Sequence, residues 1–328
     1  MIKIDQIRAL HIELSTRCNA RCPMCMRNYR GSEFNGGYPL TELSLDDIQH
    51  IFTPAFLKQI NRVNFNGNLG DFSLASDALA IVDYFLANSR AHLQIETNGS
   101  TRSPAWWQQL NNPRIKVLFA LDGLEDTHSL YRQDTHWGKI IENAKALIAV
   151  GGNAVWKFIP FKHNQHQLDA CRTLSSQLGF SEFIIRDHGR NQGPVFTRDG
   201  EFSHWLGKPE PEPPKIDVLL ESHVTWFDHT KKIPWVNDDA EIKCAHIKQK
   251  EIYVAADGSI YPCCFLGFFP STMHQPGNSQ FKDMVKENNA KHHSLEHCIN
   301  WFDQVEKTWA MPSIAQGKLY ACVAACGH

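Results

Sequence analysis

The sequence lacks long apolar runs and a strong excess of charge of one sign. Its 33 lysines and arginines nearly balance 35 aspartates and glutamates, for a net charge of −2. Nucleic acids and anionic membranes bind clustered basic residues, so this balance argues against both as partners. No run approaches the ~18 to 20 apolar residues of a membrane span, and the N-terminus has no secretion signal. We therefore expect a cytoplasmic globular protein that acts on a peptide or a small polar molecule.

The ten cysteines of this 328-residue chain include one closely spaced triplet. In a chain without a secretion signal, cysteines are more often metal ligands or free thiols than disulfides. Cys18, Cys22 and Cys25 form a C-x3-C-x2-C pattern after a short apolar segment, and no fourth cysteine occurs before Cys171. A structural zinc site closes four ligands, whereas three thiolates on an iron-sulfur cluster leave one iron open for chemistry.

This triplet resembles the signature of the radical S-adenosylmethionine (SAM) enzymes, which follows the first strand of a partial barrel. The resemblance implies that Cys18, Cys22 and Cys25 hold a [4Fe-4S] cluster whose open iron is chelated by SAM. It also implies that the reduced cluster cleaves SAM to methionine and a 5'-deoxyadenosyl radical, which abstracts hydrogen from substrate. A cellular reductant such as flavodoxin or ferredoxin would supply the electron. Met24, inside the motif, is assigned to the SAM contacts.

Strand and helix patterns alternate along residues 1–190, which predicts a parallel α/β sheet. The predicted strands are Ala9–Leu14, Arg62–Asn66, His92–Thr97, Ile115–Leu121, Ala154–Pro160 and Glu182–Arg186. The predicted helices between them are Leu45–Gln59, Ser73–Asn88, Pro104–Leu110, Trp137–Val150 and His166–Leu178. This order predicts a partial, TIM-like (β/α)6 barrel, in which ligands bind at the carboxyl ends of the strands.

The loop after the second predicted strand lies where radical SAM enzymes have a Gly-Gly-Glu segment that contacts the SAM amino group. This chain instead has Gly67 and Asn68, followed by Gly70 and Asp71. Glycines at a strand exit let the backbone approach a ligand closely. The resemblance therefore leaves the side chain of Asn68, the side chain of Asp71 or the loop backbone as the partner of the SAM amine.

The third and fourth predicted strands end in further segments that resemble radical SAM sites. A Thr-Asn-Gly turn similar to one near the SAM ribose makes Glu96 and Asn98 candidate contacts. Asp122 lies in a segment similar to Ser-(Leu/Ile)-Asp-Gly, with Ala120 in place of the serine. Arg132, shortly after it, is a candidate for the SAM carboxylate or an ordinary surface arginine.

The fifth and sixth predicted strands each carry a basic side chain. Lys157 alternates with apolar neighbours, and an unpaired buried charge is unfavourable. We therefore expect Lys157 to point into the barrel mouth or to pair with an acid. Arg186, at the end of the sixth strand, is a candidate contact to an anion, either the carboxylate of SAM or the substrate.

The alternation of strands and helices ends near residue 190. The proline run Gly207–Pro214 predicts a stiff spacer, and a hairpin turn at Asp257 predicts two more strands beyond it. We therefore expect three parts, namely a barrel at 1–190, a linker at 191–240 and a small α+β domain at 241–328.

The cysteines of this last part resemble those of the SPASM and twitch domains, which add auxiliary iron-sulfur clusters to radical SAM barrels. Cys244 and Cys263 stand at the two ends of the predicted hairpin in a C-x13-G-x4-C spacing. No C-x2-C follows, which favours the smaller twitch form with one auxiliary cluster, a [4Fe-4S] cluster. The expected ligands are Cys244, Cys263, Cys322 and Cys326, with Cys264 and Cys298 as alternatives.

We therefore predict a radical SAM enzyme that abstracts hydrogen from an unactivated C–H bond. The auxiliary cluster accepts an electron in a dehydrogenation or cross-linking oxidation, or anchors the substrate. An epimerase with Cys264 as hydrogen donor is an alternative. About ten residues precede the first strand, which favours a small molecule or a separate peptide-recognition protein. The competing class is a non-catalytic protein, either a zinc-stabilised binding module or an electron carrier, which closes its cluster with four cysteines.

Overall fold

A computed structural model describes residues 2–32, 39–186, 193–207, 240–268 and 287–327, together with Asn237 and Val285. The proline run beyond Gly207 lies outside these residues. The described strands are β1 (Ala9–Ile12), β2 (Arg62–Phe65), β3 (His92–Thr97), β4 (Ile115–Ala120), β5 (Ala154–Phe158), β6 (Glu182–Ile185), β7 (Gly193–Phe196), β8 (Phe202–Leu206), β9 (Glu251–Val254) and β10 (Ile260–Tyr261).

Eight of these strands form one sheet in the order β10-β9-β1-β2-β3-β4-β5-β6. Every neighbouring pair from β9 to β6 is parallel, and only β10 runs antiparallel to β9. The six strands of the predicted barrel are therefore confirmed, in the predicted order. β7 and β8 form a separate antiparallel hairpin that the sequence did not predict.

The described helices are Leu45–Ile51, Pro54–Leu57, Ala78–Asn88, Pro104–Gln108, Glu125–Tyr131, Trp137–Ala149, Leu168–Gln177, Ala245–Gln249, Cys264–Phe268, Leu295–Ile299, Phe302–Thr308 and Tyr320–Cys326. The single helix predicted at Leu45–Gln59 is wrong. Pro54 has no N–H and begins a second helix, with Thr53 as its N-cap. The predicted helix from Ser73 begins only at Ala78, after a 3-10 turn. The helix Glu125–Tyr131 was not predicted.

The two faces of the sheet differ in chemistry. One face packs against the helices and is apolar, with Leu10, Ile12, Val63, Phe65, Leu93, Ile95, Val117, Phe119, Trp156 and Phe158 in the core. Because successive side chains of a strand alternate between faces, the residues between them belong to the other face. That face carries the polar side chains His11, Asn64, Gln94, Glu96 and Lys157. A polar face in a parallel sheet is suited to binding a polar ligand.

The sheet continues across the boundary predicted at residue 240. β9 pairs in parallel with β1, so that Ala9 lies opposite Glu251 and Ile12 opposite Val254. The Tyr253 hydroxyl donates a 2.7 Å hydrogen bond to Glu13 Oε2. The division into three domains remains a prediction, but the C-terminal segment shares a sheet with the barrel. Among the described helices, none combines the length and the apolar character of a membrane span.

Candidate cluster sites

The three-cysteine loop begins where β1 ends. Cys22 is buried, and Cys18 and Cys25 are half-buried. The Cys25 N–H donates to the Cys22 carbonyl at 2.9 Å, a turn that keeps these two residues together. The loop packs on a small apolar cluster at the ends of β5, β7 and β8, whose members are Ala20, Cys22, Tyr131, Ile159, Phe161, Val195 and Leu206, with Cys18, Met24 and Cys25 against it. The sheet thus places all three thiols at its carboxyl edge.

The donor set of this loop fits an iron-sulfur cluster. Burial raises the pKa of the Cys18 thiol, and the nearby charges of Asp71, Cys22 and Cys25 raise it further. Positive charge would favour the thiolate form of Cys18, and bound iron would supply it. Among the described residues, no three His, Cys, Asp or Glu side chains converge on a single ion position. Three thiolates suit a cluster in which each thiolate binds a different iron.

Two of the predicted site residues reach the cysteine sulfurs. Asn98 Nδ2 lies 3.7 Å from Cys18 Sγ, and Arg132 Nη1 lies 3.7 Å from Cys22 Sγ. Asn98 Nδ2 also donates to Asn19 Oδ1 at 2.9 Å, which fixes the side chain on the loop. N–H groups directed at thiolate sulfurs stabilise their negative charge and tune a bound cluster.

Arg132 is held by a fully buried aspartate. Its Nε donates to Asp122 Oδ2 at 2.6 Å, and the second oxygen of Asp122 accepts the Ile159 N–H at 2.6 Å. Burial lowers the pKa of Arg132, but Asp122, Cys22 and Tyr131 together raise it more, so the pKa stands well above its usual value. Arg132 is therefore a fixed positive charge beside the cluster loop. Both Asp122 oxygens have partners in the chain, so Asp122 holds Arg132 and the β5 exit in place.

Replacing Asp122 with Ala should lower the free energy of unfolding by about 3 to 5 kcal/mol, because Arg132 is then buried without a counter-charge. Glu142→Ala is a matched control, since it breaks an exposed pair with Lys139. That control should change the free energy by less than about 1 kcal/mol. Anaerobic urea denaturation measures both values. Equal, small effects of the two changes would contradict a structural role for the buried pair.

The sequence did not identify the residues that support Asp122. Its backbone N–H donates to His128 Nδ1 at 3.2 Å, and its carbonyl accepts from Asn164 Nδ2 at 3.2 Å. Burial lowers the pKa of His128 to about 4, so the ring is neutral at pH 7. Since Nδ1 accepts, the proton is on Nε2, which lies 3.0 Å from Thr135 Oγ1. These contacts join the exits of β4 and β5.

Asp71, predicted as a partner of the SAM amine, ties two strand exits together. Its Oδ1 accepts from Thr97 Oγ1 at 2.8 Å and its Oδ2 from the Asn98 N–H at 2.7 Å. A side chain added at Gly70 would overlap the Ser15 carbonyl. The β2 exit therefore lies directly against the start of the cysteine loop, and Asp71 positions Asn98.

The rest of this loop is held by a residue that the sequence analysis missed. Glu13 Oε1 accepts from the N–H groups of Leu69 and Gly70, at 2.6 and 2.9 Å. A Cβ at Gly67 would lie only 2.7 Å from the same oxygen. Asn68 Nδ2 donates to the Cys264 carbonyl at 2.9 Å. Glu13 is a charged residue within an apolar strand segment, and the same kind of pattern identified Lys157.

Lys157 pairs with an acid, one of its two expected environments. Its Nζ contacts Glu96 Oε2, and Gln94 Nε2 donates to Glu96 Oε1 at 3.2 Å. The Lys157 and Glu96 side chains are 14% and 17% exposed, which places the pair on the polar face. Arg186 is exposed at the end of β6.

The second group of cysteines lines one cavity. The four cysteines come from three separate segments. Cys244 precedes the helix Ala245–Gln249, Cys263 follows β10, and Cys322 and Cys326 lie on the last helix. Residues four apart on a helix share a face, so the last two thiols point the same way. The other lining residues are Ile242, Pro262, Leu266, Val305, Trp309, Ala321 and Ala325.

These four thiols also fit a cluster. Burial raises the pKa of Cys322 to about 12, and the charges of Cys244 and Cys326 add to the rise. The two alternative ligands lie elsewhere. The Cys298 sulfur is buried 3.9 Å from the Glu287 carbonyl, and neither Cys298 nor Cys264 lines the cavity. The structure therefore brings together the four cysteines that the spacing predicted.

Residues 12–172 match the family model described as the radical SAM superfamily. No curated protein matches the chain. The fold is similar to that of SuiB from Streptococcus suis bound to the precursor peptide SuiA, with a TM-score of 0.58 and 13% identity over 97% of this chain and 77% of SuiB. It is also similar to anSMEcpe with bound AdoMet, with a TM-score of 0.54 and 15% identity over 95% and 85%.

In two other SuiB structures, the match to this chain covers a smaller share of the SuiB chain. This chain spans 64% of one and 62% of the other, which contains S-adenosylmethionine. The match of residues 12–172 includes the three-cysteine loop, and the parallel sheet places that loop at its carboxyl edge. On this evidence the segment at residues 12–172 belongs to the radical SAM superfamily.

Proposed function

We infer that this enzyme oxidises a peptide substrate and uses a second cluster as electron acceptor. The observation that carries this proposal is the cavity lined by Cys244, Cys263, Cys322 and Cys326. After hydrogen abstraction, a substrate radical must lose one more electron to complete a two-electron oxidation. A cluster ligated by four cysteines has no open iron and is suited to that electron transfer.

The peptide class is supported by two proteins of similar fold. SuiB has been solved with the precursor peptide SuiA and anSMEcpe with the Cp18Cys peptide, the latter at a TM-score of 0.53 and 14% identity. The polar face of the sheet suits such a substrate, since Glu96, Lys157 and Gln94 form a charged and hydrogen-bonding patch there. These groups recognise the amides and charged side chains of a peptide.

At the barrel site, Cys18, Cys22 and Cys25 would hold a [4Fe-4S] cluster. With SAM bound, this cluster supplies the 5'-deoxyadenosyl radical that removes hydrogen from the substrate. Arg132 presents a fixed guanidinium beside the loop, which suits the SAM carboxylate. Asn98 holds its amide against Cys18 and Asn19, and Asp71 fixes the Asn98 backbone.

The two cysteine sites are joined through short contacts. Cys263 lines the second cavity, and the carbonyl of the next residue, Cys264, accepts from Asn68 Nδ2 at 2.9 Å. Tyr253 on β9 donates to Glu13 at 2.7 Å, and Glu13 holds the same β2 loop. These contacts support a position for the electron acceptor beside the edge of the sheet where substrate would react.

The test compares 5'-deoxyadenosine with oxidised product. Anaerobically reconstituted protein is incubated with SAM, dithionite and each short peptide encoded beside its gene. Wild type should form both products. Cys322→Ala should still release 5'-deoxyadenosine, but its yield of oxidised peptide, which has lost two hydrogens, should be a small fraction of the wild-type yield. Cys298→Ala, outside the cavity, is the control and should behave as wild type. Matched yields of the two products in Cys322→Ala would refute the acceptor role.

Epimerisation is a second candidate because Cys264 lies at the edge of the sheet. Its thiol is half-buried, and its carbonyl is bound by Asn68 at the β2 exit. An epimerase returns a hydrogen atom to the opposite face of the substrate radical, and a thiol is a suitable donor. Deuterium entering the product from heavy water, and absent with Cys264→Ala, would overturn the oxidation proposal in favour of this one.

A further inference from the structure

Trp309 is the aromatic residue of the second cysteine cavity. It follows the helix Phe302–Thr308, and its backbone N–H donates to the Glu306 carbonyl at 3.0 Å. The ring packs against the core that contains Phe302 and Val305. Its orientation is therefore held by the helix end and by core packing.

The indole N–H of Trp309 lacks a well-formed hydrogen bond although it is buried. Within the described chain, Nε1 has no nitrogen, oxygen or sulfur partner in good geometry. A buried, unsatisfied N–H group is unfavourable by about 1 to 3 kcal/mol. The Trp309 side chain lies within reach of a hydrogen bond to the Cys322 sulfur, and both residues line the same cavity.

The cavity therefore contains four sulfurs without positive charge and one N–H donor without a good acceptor. The other residues that line it are apolar apart from the cysteines. In the thiol form, Cys322 is only a weak acceptor. A thiolate that binds iron carries the charge that would attract the N–H group. A cluster bound in the cavity would supply positive charge to the sulfurs and a charged acceptor to the Trp309 N–H group.

We propose that Trp309 donates an indole N–H···S hydrogen bond to the Cys322 sulfur of the auxiliary cluster and raises the reduction potential of that cluster. This inference rests on the proposed function, since it requires a cluster in the cavity. Hydrogen bonds to cluster sulfurs favour the more negative, reduced state. The donor would thus make the cluster a better acceptor for the electron of the substrate radical.

The test uses the full-length, anaerobically reconstituted protein and the change Trp309→Phe, which keeps an aromatic ring but removes the donor. A redox titration is followed by EPR, with the barrel cluster recognised by its response to SAM. Both proteins should hold about eight irons. At a fixed solution potential, the ratio of reduced to oxidised auxiliary cluster should fall about threefold or more in the variant. Trp301→Phe, which does not line the cavity, should leave the ratio unchanged.

A second readout follows the hydrogen bond directly. In heavy water, the auxiliary signal of wild type should show coupling to an exchangeable deuteron, and Trp309→Phe should lose it. Eight irons with an unchanged ratio and unchanged coupling would overturn this inference alone. Four irons in wild type would overturn the proposed function, and the inference with it. If Trp309→Phe fails to fold, the test uses wild type labelled with [15N]tryptophan. The EPR signal of the auxiliary cluster should then show coupling to 15N, and a signal without this coupling would overturn the inference.

Discussion

Reconstituted wild-type protein should contain about eight irons per chain, and single Ala changes in the second cysteine group should each remove about four. The reason is that Cys244, Cys263, Cys322 and Cys326 line one cavity whose other lining residues are apolar, so no side chain there replaces a lost thiolate. Iron and sulfide analysis after anaerobic reconstitution measures the effect. The expected change is half of the total iron.

Cys298→Ala is the matched control for these four changes. Cys298 is buried, as Cys263 and Cys322 are, but its sulfur lies near the backbone carbonyls of Glu287 and His293, at 3.9 and 4.0 Å. Its replacement should leave the iron content unchanged. Iron loss in Cys298→Ala, with none in Cys322→Ala, would show that the ligand set is wrong.

Replacing Cys18, Cys22 and Cys25 together with Ala should abolish reductive SAM cleavage and remove the other four irons. The three thiols share one loop at the carboxyl edge of the sheet, whereas the second cavity is built from other segments. The auxiliary cluster should therefore survive in this variant. The measurement is 5'-deoxyadenosine after incubation with SAM and dithionite, beside the iron content.

If the triple variant still formed 5'-deoxyadenosine, the assignment of the barrel cluster to these three cysteines would be wrong. Loss of all eight irons would show that the two sites are not independent. The tie between them runs through the β2 loop, where Asn68 binds the Cys264 carbonyl and Glu13 binds Tyr253. These contacts are hydrogen bonds at the sheet edge. None of the residues that line the second cavity belongs to the three-cysteine loop.

The strands of the barrel could be predicted because they are short segments, bounded by turn residues, in which apolar residues recur at alternate positions. The pairing of β9 with β1 could not, since it joins Ala9 to Glu251 and has no local signal. The break before Pro54 was visible in the sequence, because proline begins helices more readily than it continues them. The helix Glu125–Tyr131 has no side-chain N-cap, and this start signal was therefore missing.

The candidate site was predictable in its residue types but less so in its roles. Cysteine spacing identified the four residues that meet in the second cavity, since that spacing reflects ligand geometry. The roles of Asp71 and Asp122 depend on partners such as Thr97, Asn98 and Ile159, which reach them from other strands. Such contacts form only when the sheet assembles. A sequence can indicate a carboxylate at a strand exit, but it does not show whether its oxygens are already bound.

The central claim is that the three-cysteine loop holds a cluster with an iron open to SAM. EPR of reduced Cys322→Ala protein tests it most directly, because this variant should retain only the barrel cluster. Addition of SAM should change the spectrum, since its amino and carboxylate groups would bind the open iron beside Arg132. A spectrum that stays the same at saturating SAM, in protein that holds four irons, would contradict the claim.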